Sequence, residues 1–243
     1  MKKKGQLIVI SLFFVQLIGV LNSVNYSQSI FSEEDLTGVG ELNFESEDIK
    51  LQKDVFEAFE EMQKAALIEG ISIQIVSGYR SFNRQKEIWN TKFEKYIAEG
   101  LSDQQSIEKI IEYSTIPGTS RHHWGTDIDI IDTVVSAPED MLIEENYINE
   151  GIYSNLKTWM DQNSENYGFY LVYDDDIERK GFKYEPWHFS YKLIAKPMLK
   201  EFLAIDFVSL LQNNDIAGSY LFSEGFLNKY ISEQVLAINF NLK

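Results

Sequence analysis

Three histidines make up the whole imidazole supply of this 243-residue chain, and two of them are neighbours. They stand in Ser120-Arg121-His122-His123-Trp124-Gly125-Thr126-Asp127-Ile128-Asp129 (SRHHWGTDID), and the third is in Glu185-Pro186-Trp187-His188-Phe189 (EPWHF). Each segment sets imidazole beside carboxylate. Groups of these two types either ligate a divalent metal or move a proton near neutral pH. The chain has no cysteine. That removes thiolates as ligands or nucleophiles, and with them disulfides and a lipid-anchored cysteine.

Without thiolates, zinc takes imidazole nitrogen and carboxylate oxygen, and a catalytic site keeps three protein ligands and one open position. His122, Asp129 and His188 offer such a set. His122 lies in a glycine-flanked loop, Asp129 follows seven residues on in a strand, and His188 lies in another strand. Glu185, three residues before His188, is placed to take a proton beside the metal. One at a time, a histidine is more often a structural hydrogen-bonding residue, and a strand aspartate a solvated end. The joint pattern is what is specific: Ser120 two before His122, Gly125 three after it, and Glu-x-x-His downstream. The helical His-Glu-x-x-His motif is absent, so the fold is not that of thermolysin.

These residues need elements to position them. Leu51, Val55, Phe59 and Met62 recur at helical spacing between Asp48 and Gly70. Ile71 to Ile75 alternates as a strand does, and Ser77-Gly78-Tyr79-Arg80 turns the chain. Ser81 to Ala98 reads as a helix with Ile88, Trp89, Phe93 and Tyr96 as its buried stripe, and Gln104 to Tyr113 as a weaker one. Ser114 to Thr126 is a loop, and Asp127 to Ile131 alternates again. Ile152 to Asn166 is a helix, Phe169 to Tyr173 a strand, and Asp174 to Lys180 a charged, solvated turn. Tyr184 to Tyr191 is a strand that Pro186 marks as an edge or a bulge. Leu193 to Leu211 is helical. Helices mixed with short strands predict an α+β fold: a small, mostly antiparallel sheet flanked by helices in one domain.

Met1-Lys2-Lys3-Lys4 followed by the apolar run Leu7 to Leu21 has the layout of a signal peptide over residues 1–29, or of an uncleaved anchor. Either exports the rest of the chain. Residues 30–47 read as an N-terminal arm or tether, 48–200 as the zinc-binding domain, and 201–243 as a C-terminal extension of packed helices. The net charge is −16, and losing the three leader lysines makes it −19. A chain this acidic repels phosphate-rich partners, which argues against nucleic acid and anionic membrane surfaces.

The motifs resemble a known family. SRHHWGTDID is similar to the Ser-x-His-x-x-Gly-x-Ala-x-Asp signature of the D-alanyl-D-alanine carboxypeptidase family of zinc peptidases. EPWHF resembles that family's Glu-x-x-His signature, in the form of the vancomycin-resistance D,D-carboxypeptidases. Ser77-Gly78-Tyr79-Arg80-Ser81, with Gln85 following, resembles a third block. The wider group includes lysostaphin-type endopeptidases and the hedgehog signalling domain. The resemblance spans Asp48 to Lys192.

It implies one zinc per chain held by His122, Asp129 and His188, with Glu185 as general base. It implies that Arg80 reaches the scissile carbonyl or the substrate carboxylate, and that Ser120 and Gln85 help hold the substrate. Asp127 departs from the family's alanine and shares a strand face with Asp129, so two carboxylates face the metal; the seven-residue spacing selects Asp129. His123 is left as a neighbour of the site or a surface residue. The implied activity is removal of the terminal D-Ala from peptidoglycan stem peptides, in the periplasm or cell envelope, with no stable membrane insertion once the leader is gone. The alternatives are a D,D-dipeptidase, an L,D-carboxypeptidase or an endopeptidase with the same site, or a non-catalytic zinc-stabilised binding domain. Glu185 separates the last from the rest, because a binding domain needs no base.

Overall fold

Alternation in IQIVS and DIDIID produces strands β1 (Ile73–Ser77) and β2 (Asp127–Asp132). Two shorter strands, β3 (Phe169–Leu171) and β4 (His188–Tyr191), complete a four-stranded sheet of order β1-β2-β4-β3. All three pairings are antiparallel. The computed structural model describes residues 31–40, 42, 44, 49–211 and 215–243. The expected leader or anchor over 1–29 lies outside the described residues, as does part of the arm over 30–47.

Register makes the sheet useful. Asp129 stands opposite His188, and Asp127 opposite Ser190. Side chains two apart on a strand share a face, so Asp127, Asp129, His188 and Ser190 form one polar patch. Ile128, Ile130 and Phe189 point the other way, into an apolar cluster with Leu51, Val55, Phe59 and Met62. Those four come from or just before helix α2 (Lys53–Ile68). Full burial of each large side chain there contributes about 1.5–3 kcal/mol.

A second cluster contains Phe82 and Trp89 of α3 (Phe82–Ala98) and Ile107 and Ile110 of α4 (Asp103–Ile110). It continues through α6 (Lys192–Phe202), α7 (Phe207–Leu211) and α8 (Glu224–Tyr230). Helix α5 (Ser154–Asn163) joins the first cluster through Leu156 and Met160. With α1 (Glu33–Thr37), eight α-helices surround the sheet among the described residues. This is the α+β architecture that the periodicities predict. None of the described helices is long and apolar enough to cross a membrane.

Three local expectations change. Residues 33–37 are not a patternless tether but a helix, because Ser32 caps Asp35 and Asp35 caps Ser32 in return. Leu36 is buried, and Gly38 (φ 74°) sits where a Cβ would collide with the His123 ring. Pro186 does not mark an edge strand. It lies in the turn before β4, and β4 pairs on both sides, with β2 and β3. The single helix expected from Leu193 to Leu211 is two, because the Asp206 side chain accepts from the Ser209 N–H and restarts the chain as α7.

Candidate metal centre

The first ligand candidate is set by a short turn. Arg121–Trp124 forms one 3-10 turn, opened by Ser120, whose hydroxyl accepts from the His122 N–H, and closed by Gly125 in the left-handed conformation (φ 64°). The glycine three after the histidine is there because that cap needs positive φ. His122 Nδ1 donates to the Gly78 carbonyl at 2.7 Å. That contact puts a proton on Nδ1, since a carbonyl only accepts. The other ring nitrogen, Nε2, faces Asp129 Oδ2 at 3.3 Å.

His188 stacks on His122, with ring centroids 4.7 Å apart. Its Nδ1 lies 2.9 Å from Glu185 Oε2 and 3.9 Å from Asp129 Oδ1. Its Nε2 lies 3.0 Å from Asp127 Oδ2. One ligating atom each from His122, Asp129 and His188 falls within 4.8 Å of the others, and all three residues are buried. Asp129 Oδ1 is buried with no hydrogen-bond partner. A buried carboxylate oxygen left unpaired between two imidazoles costs free energy unless a cation completes the group. Two nitrogens and a carboxylate are also the ligand chemistry that zinc accepts without sulfur. The residues fit the metal that the sequence implies.

Asp127 has other partners. It receives Arg121 Nε at 2.9 Å, the Ser190 hydroxyl at 2.6 Å and the Thr126 hydroxyl at 2.9 Å, and it is fully buried. Its fourth contact, to His188, makes a carboxylate–imidazole pair of the kind that orients metal-binding histidines. Burial alone raises the Asp127 pKa, but Arg121 and His188 overcome it and hold the carboxyl well below its usual range. Burial raises Asp129 too, yet His122, His188 and Arg80 bring it down to about 2. Burial lowers His188, while Asp127, Glu185 and Asp129 together drive it up to about 10.

Arg80 leaves β1 through the Ser77-Gly78-Tyr79 turn. Nη2 donates to Ser77 Oγ at 3.0 Å and lies 3.9 Å from Asp129 Oδ2. Nη1 donates to Gln85 Oε1 at 2.9 Å, and Gln85 Nε2 donates to the Thr115 carbonyl at 2.8 Å. Gln85 is fully buried with both ends of its amide occupied. It braces Arg80 from behind, and it is not among the side chains that line the cavity described below. His123 is buried as well and not on the surface. Its Nε2 accepts from the Gly118 N–H, so its proton sits on Nδ1 and goes to the Arg80 carbonyl. Burial lowers its pKa to about 3, which keeps it a neutral clip between two loops.

His122, Asp129, His188, Glu185, Arg80 and Ser120 all line one cavity of about 530 Å³. Arg121 and Lys92 line it too, and neither was singled out from sequence. Arg121 had a signal: a carboxylate added inside a buried strand needs a cation, and Arg121 is the basic residue of the same motif. Lys92 had a weaker one: it follows Gln85 by seven and Ile88 by four, on one helix face.

An antiparallel sheet carrying a buried His–Asp–His trio, with a glutamate and an arginine at its edge, defines a candidate metal-dependent hydrolase site in an α+β domain. The chain matches the family model described as VanY, D-alanyl-D-alanine carboxypeptidase, over residues 48–194, well over half its length, and it belongs to that family. It is 31% identical over 131 residues to a D-alanyl-D-alanine carboxypeptidase of Enterococcus faecalis, covering 52% of this chain and 42% of that one. It is 30% identical over 149 residues to the bifunctional D-Ala-D-Ala dipeptidase and D-Ala-D-Ala carboxypeptidase VanXYC of Enterococcus gallinarum, covering 61% and 70%. The chain spans about half the length, or less, of two of the curated relatives it matches. Among solved structures it is similar to a mutant of the vancomycin-resistance D,D-pentapeptidase VanY in complex with Zn(II). That likeness has a TM-score of 0.51 at 26% identity and covers 67% of this chain and 89% of that one. VanYB in complex with D-alanine-D-alanine is similar at the same TM-score and identity, covering 68% and 89%.

Proposed function

We propose that this protein is an exported, zinc-dependent carboxypeptidase that removes the terminal D-Ala from peptidoglycan stem peptides. One observation carries the reading. A single cavity brings together a buried His–Asp–His trio, an unpartnered Asp129 oxygen, a carboxylate at Glu185 and a guanidinium at Arg80. Family membership supports it, as do the Zn(II) and D-alanine-D-alanine complexes of the similar structures. The lysine-led apolar leader supports export.

His122 through Nε2, Asp129 through its carboxylate and His188 through Nδ1 would hold the zinc. When bound, zinc supplies Lewis acidity, lowering the pKa of a coordinated water and polarising a peptide carbonyl. Glu185, at the edge of the trio, accepts the proton of the attacking water and returns it to the leaving amine. Arg80, fixed by Ser77 and Gln85, donates to the oxygen that becomes negative; the loss of one such donor typically costs about 3 kcal/mol. Asp127 keeps the His188 ring turned so that Nδ1 faces the trio.

The test is to incubate the zinc-loaded protein with a stem pentapeptide ending in D-Ala-D-Ala, the matching tetrapeptide, a cross-linked dimer and free D-Ala-D-Ala. Mass spectrometry identifies the products. The expected result is loss of one alanine from the pentapeptide, abolished by chelator and restored by zinc. Cleavage confined to the tetrapeptide, the cross-link or the dipeptide would assign one of the sister activities. Full turnover in metal-free protein would overturn the zinc reading.

A further inference from the structure

A cation faces the cavity with no job in that chemistry. Lys92 lies on α3, seven residues after Gln85, and lines the cavity together with Ser114 and Thr115. Its ammonium is bonded to the Ser114 hydroxyl. Among the described residues no carboxylate lies within 4.0 Å of it, in a chain with 38 acidic and 22 basic side chains. The two carboxylates nearest the centre are engaged, Asp129 with His122 and Glu185 with His188. Burial and the like charge of Arg80 disfavour the ammonium, and the Glu185 charge offsets only part of this. A half-buried cation held beside a second cation, without an anion in contact, is stabilised when an anionic ligand group arrives.

The surrounding donors fit such a group. An ammonium has three protons, and Ser114 takes one of them; the remaining two and the Ser114 O–H can all be donated to an acceptor. The Thr115 hydroxyl next to Ser114 is buried with no hydrogen-bond partner. The spacing to Arg80 is also fixed. Gln85 ties Arg80 Nη1 to the Thr115 carbonyl, so the guanidinium and the Ser114–Thr115 wall are held by one strut.

We propose that Lys92 and the Ser114 hydroxyl form the seat for the free C-terminal carboxylate of the peptide, leaving Arg80 to the scissile carbonyl. The inference rests on the peptidase reading of the same cavity and adds to it the group that confines cleavage to a chain end. A substrate with a blocked terminus loses this contact, and a charge-assisted hydrogen bond of this kind changes affinity about 10–100-fold.

The experiment compares a D-Ala-D-Ala-terminated peptide with its C-terminal amide, on the intact zinc-loaded protein and on Lys92→Met and Lys92→Arg. The expected result is that the unmodified protein prefers the free acid. Lys92→Met lowers kcat/KM for the acid about 10–100-fold, chiefly through KM, and leaves the amide unchanged. Lys92→Arg keeps most of the preference, and zinc content is the same in all three. An equal loss on acid and amide, or no loss on either, overturns the seat. If the unmodified protein turns over no peptide, the peptidase reading fails by itself. The seat is then decided by calorimetric titration of D-Ala-D-Ala against its amide, where equal affinity for the two in unmodified protein and Lys92→Met overturns it.

Discussion

Two regions hold the loop that carries His122, and they do so by different means. On one side are the strands β2 and β4 and the Arg80 turn, which meet the loop through charged and imidazole groups. On the other is the C-terminal segment from Asp215 to Lys243, beyond the part of the chain that the family model matches. Its contacts are ordinary. The Tyr230 hydroxyl accepts from the Ile116 N–H at 3.0 Å and meets the Thr119 hydroxyl at 3.0 Å. Trp89 donates to the Ala217 carbonyl, and Asn239 to that of Leu171. The first region spends stability on an unpaired Asp129 oxygen and crowded charges. The second supplies packing and satisfied hydrogen bonds. Strain belongs where the reaction is, and support comes from residues with no chemistry of their own.

The largest effects should come from the charged side. Asp129→Ala removes the proposed carboxylate ligand and should abolish zinc binding, read as metal content of the purified protein. Asp127→Asn keeps a side chain that bonds Ser190 and His188 but loses the charge opposite Arg121. It should retain zinc with affinity lowered about 10–100-fold, as partners of ligand histidines usually do. If Asp127→Asn is the metal-free variant and Asp129→Ala keeps its zinc, the two carboxylates have exchanged roles.

Glu185→Gln comes next. It is close to isosteric and cannot take a proton. Zinc should stay, and turnover should fall by at least ~100-fold. Near-normal turnover would remove Glu185 from the chemistry. Loss of zinc would instead make it a ligand, and the contrast between a metal-holding trio and a proton-carrying edge would have to be redrawn.

The two regions also differ in how far they could be read from sequence. The trio was legible because its residue types are scarce here: three histidines, no thiolate, and a carboxylate at fixed spacing. The strands were legible because one face had to be apolar, so Ile128 and Ile130 alternate with Asp127 and Asp129. What is local in type but not in partner was missed. Nothing in the sequence shows that Arg80 and Thr115 use both ends of the Gln85 amide. His122 and His123 are alike in sequence, yet Gly78 turns one toward the His–Asp–His trio and Gly118 and Arg80 set the other as a clip. Ser32 and Asp35 spell a capping box that acidic composition hid. Pro186 was read by its usual place in sheets, whereas the turn before β4 absorbs it. Residues 215–243 read only as packed helices, because Tyr230, Ala217 and Asn239 pair 114, 128 and 68 residues away and their types are common.

Tyr230 is the place to test that quieter region, and its effect should be the smallest. Thr119 Oγ1 donates to the Ile116 carbonyl at 2.7 Å, so the Tyr230 O–H donates to Thr119 while its oxygen accepts from the Ile116 N–H. All three groups are buried. Burial also pushes the phenol up, which keeps it protonated and able to donate. Tyr230→Phe deletes one oxygen and leaves a buried N–H without a partner, which typically costs about 1–3 kcal/mol. In a chain this long that lowers Tm by roughly 2–10 °C. Zinc affinity and the preference for a free carboxylate should stay close to those of the unmodified protein, because no ligand or cavity donor has been touched. An unchanged Tm would mean the C-terminal segment does not hold the loop through this residue. A normal Tm with turnover lost would be more telling still, since it would put the C-terminal segment into the chemistry and erase the division between the two regions.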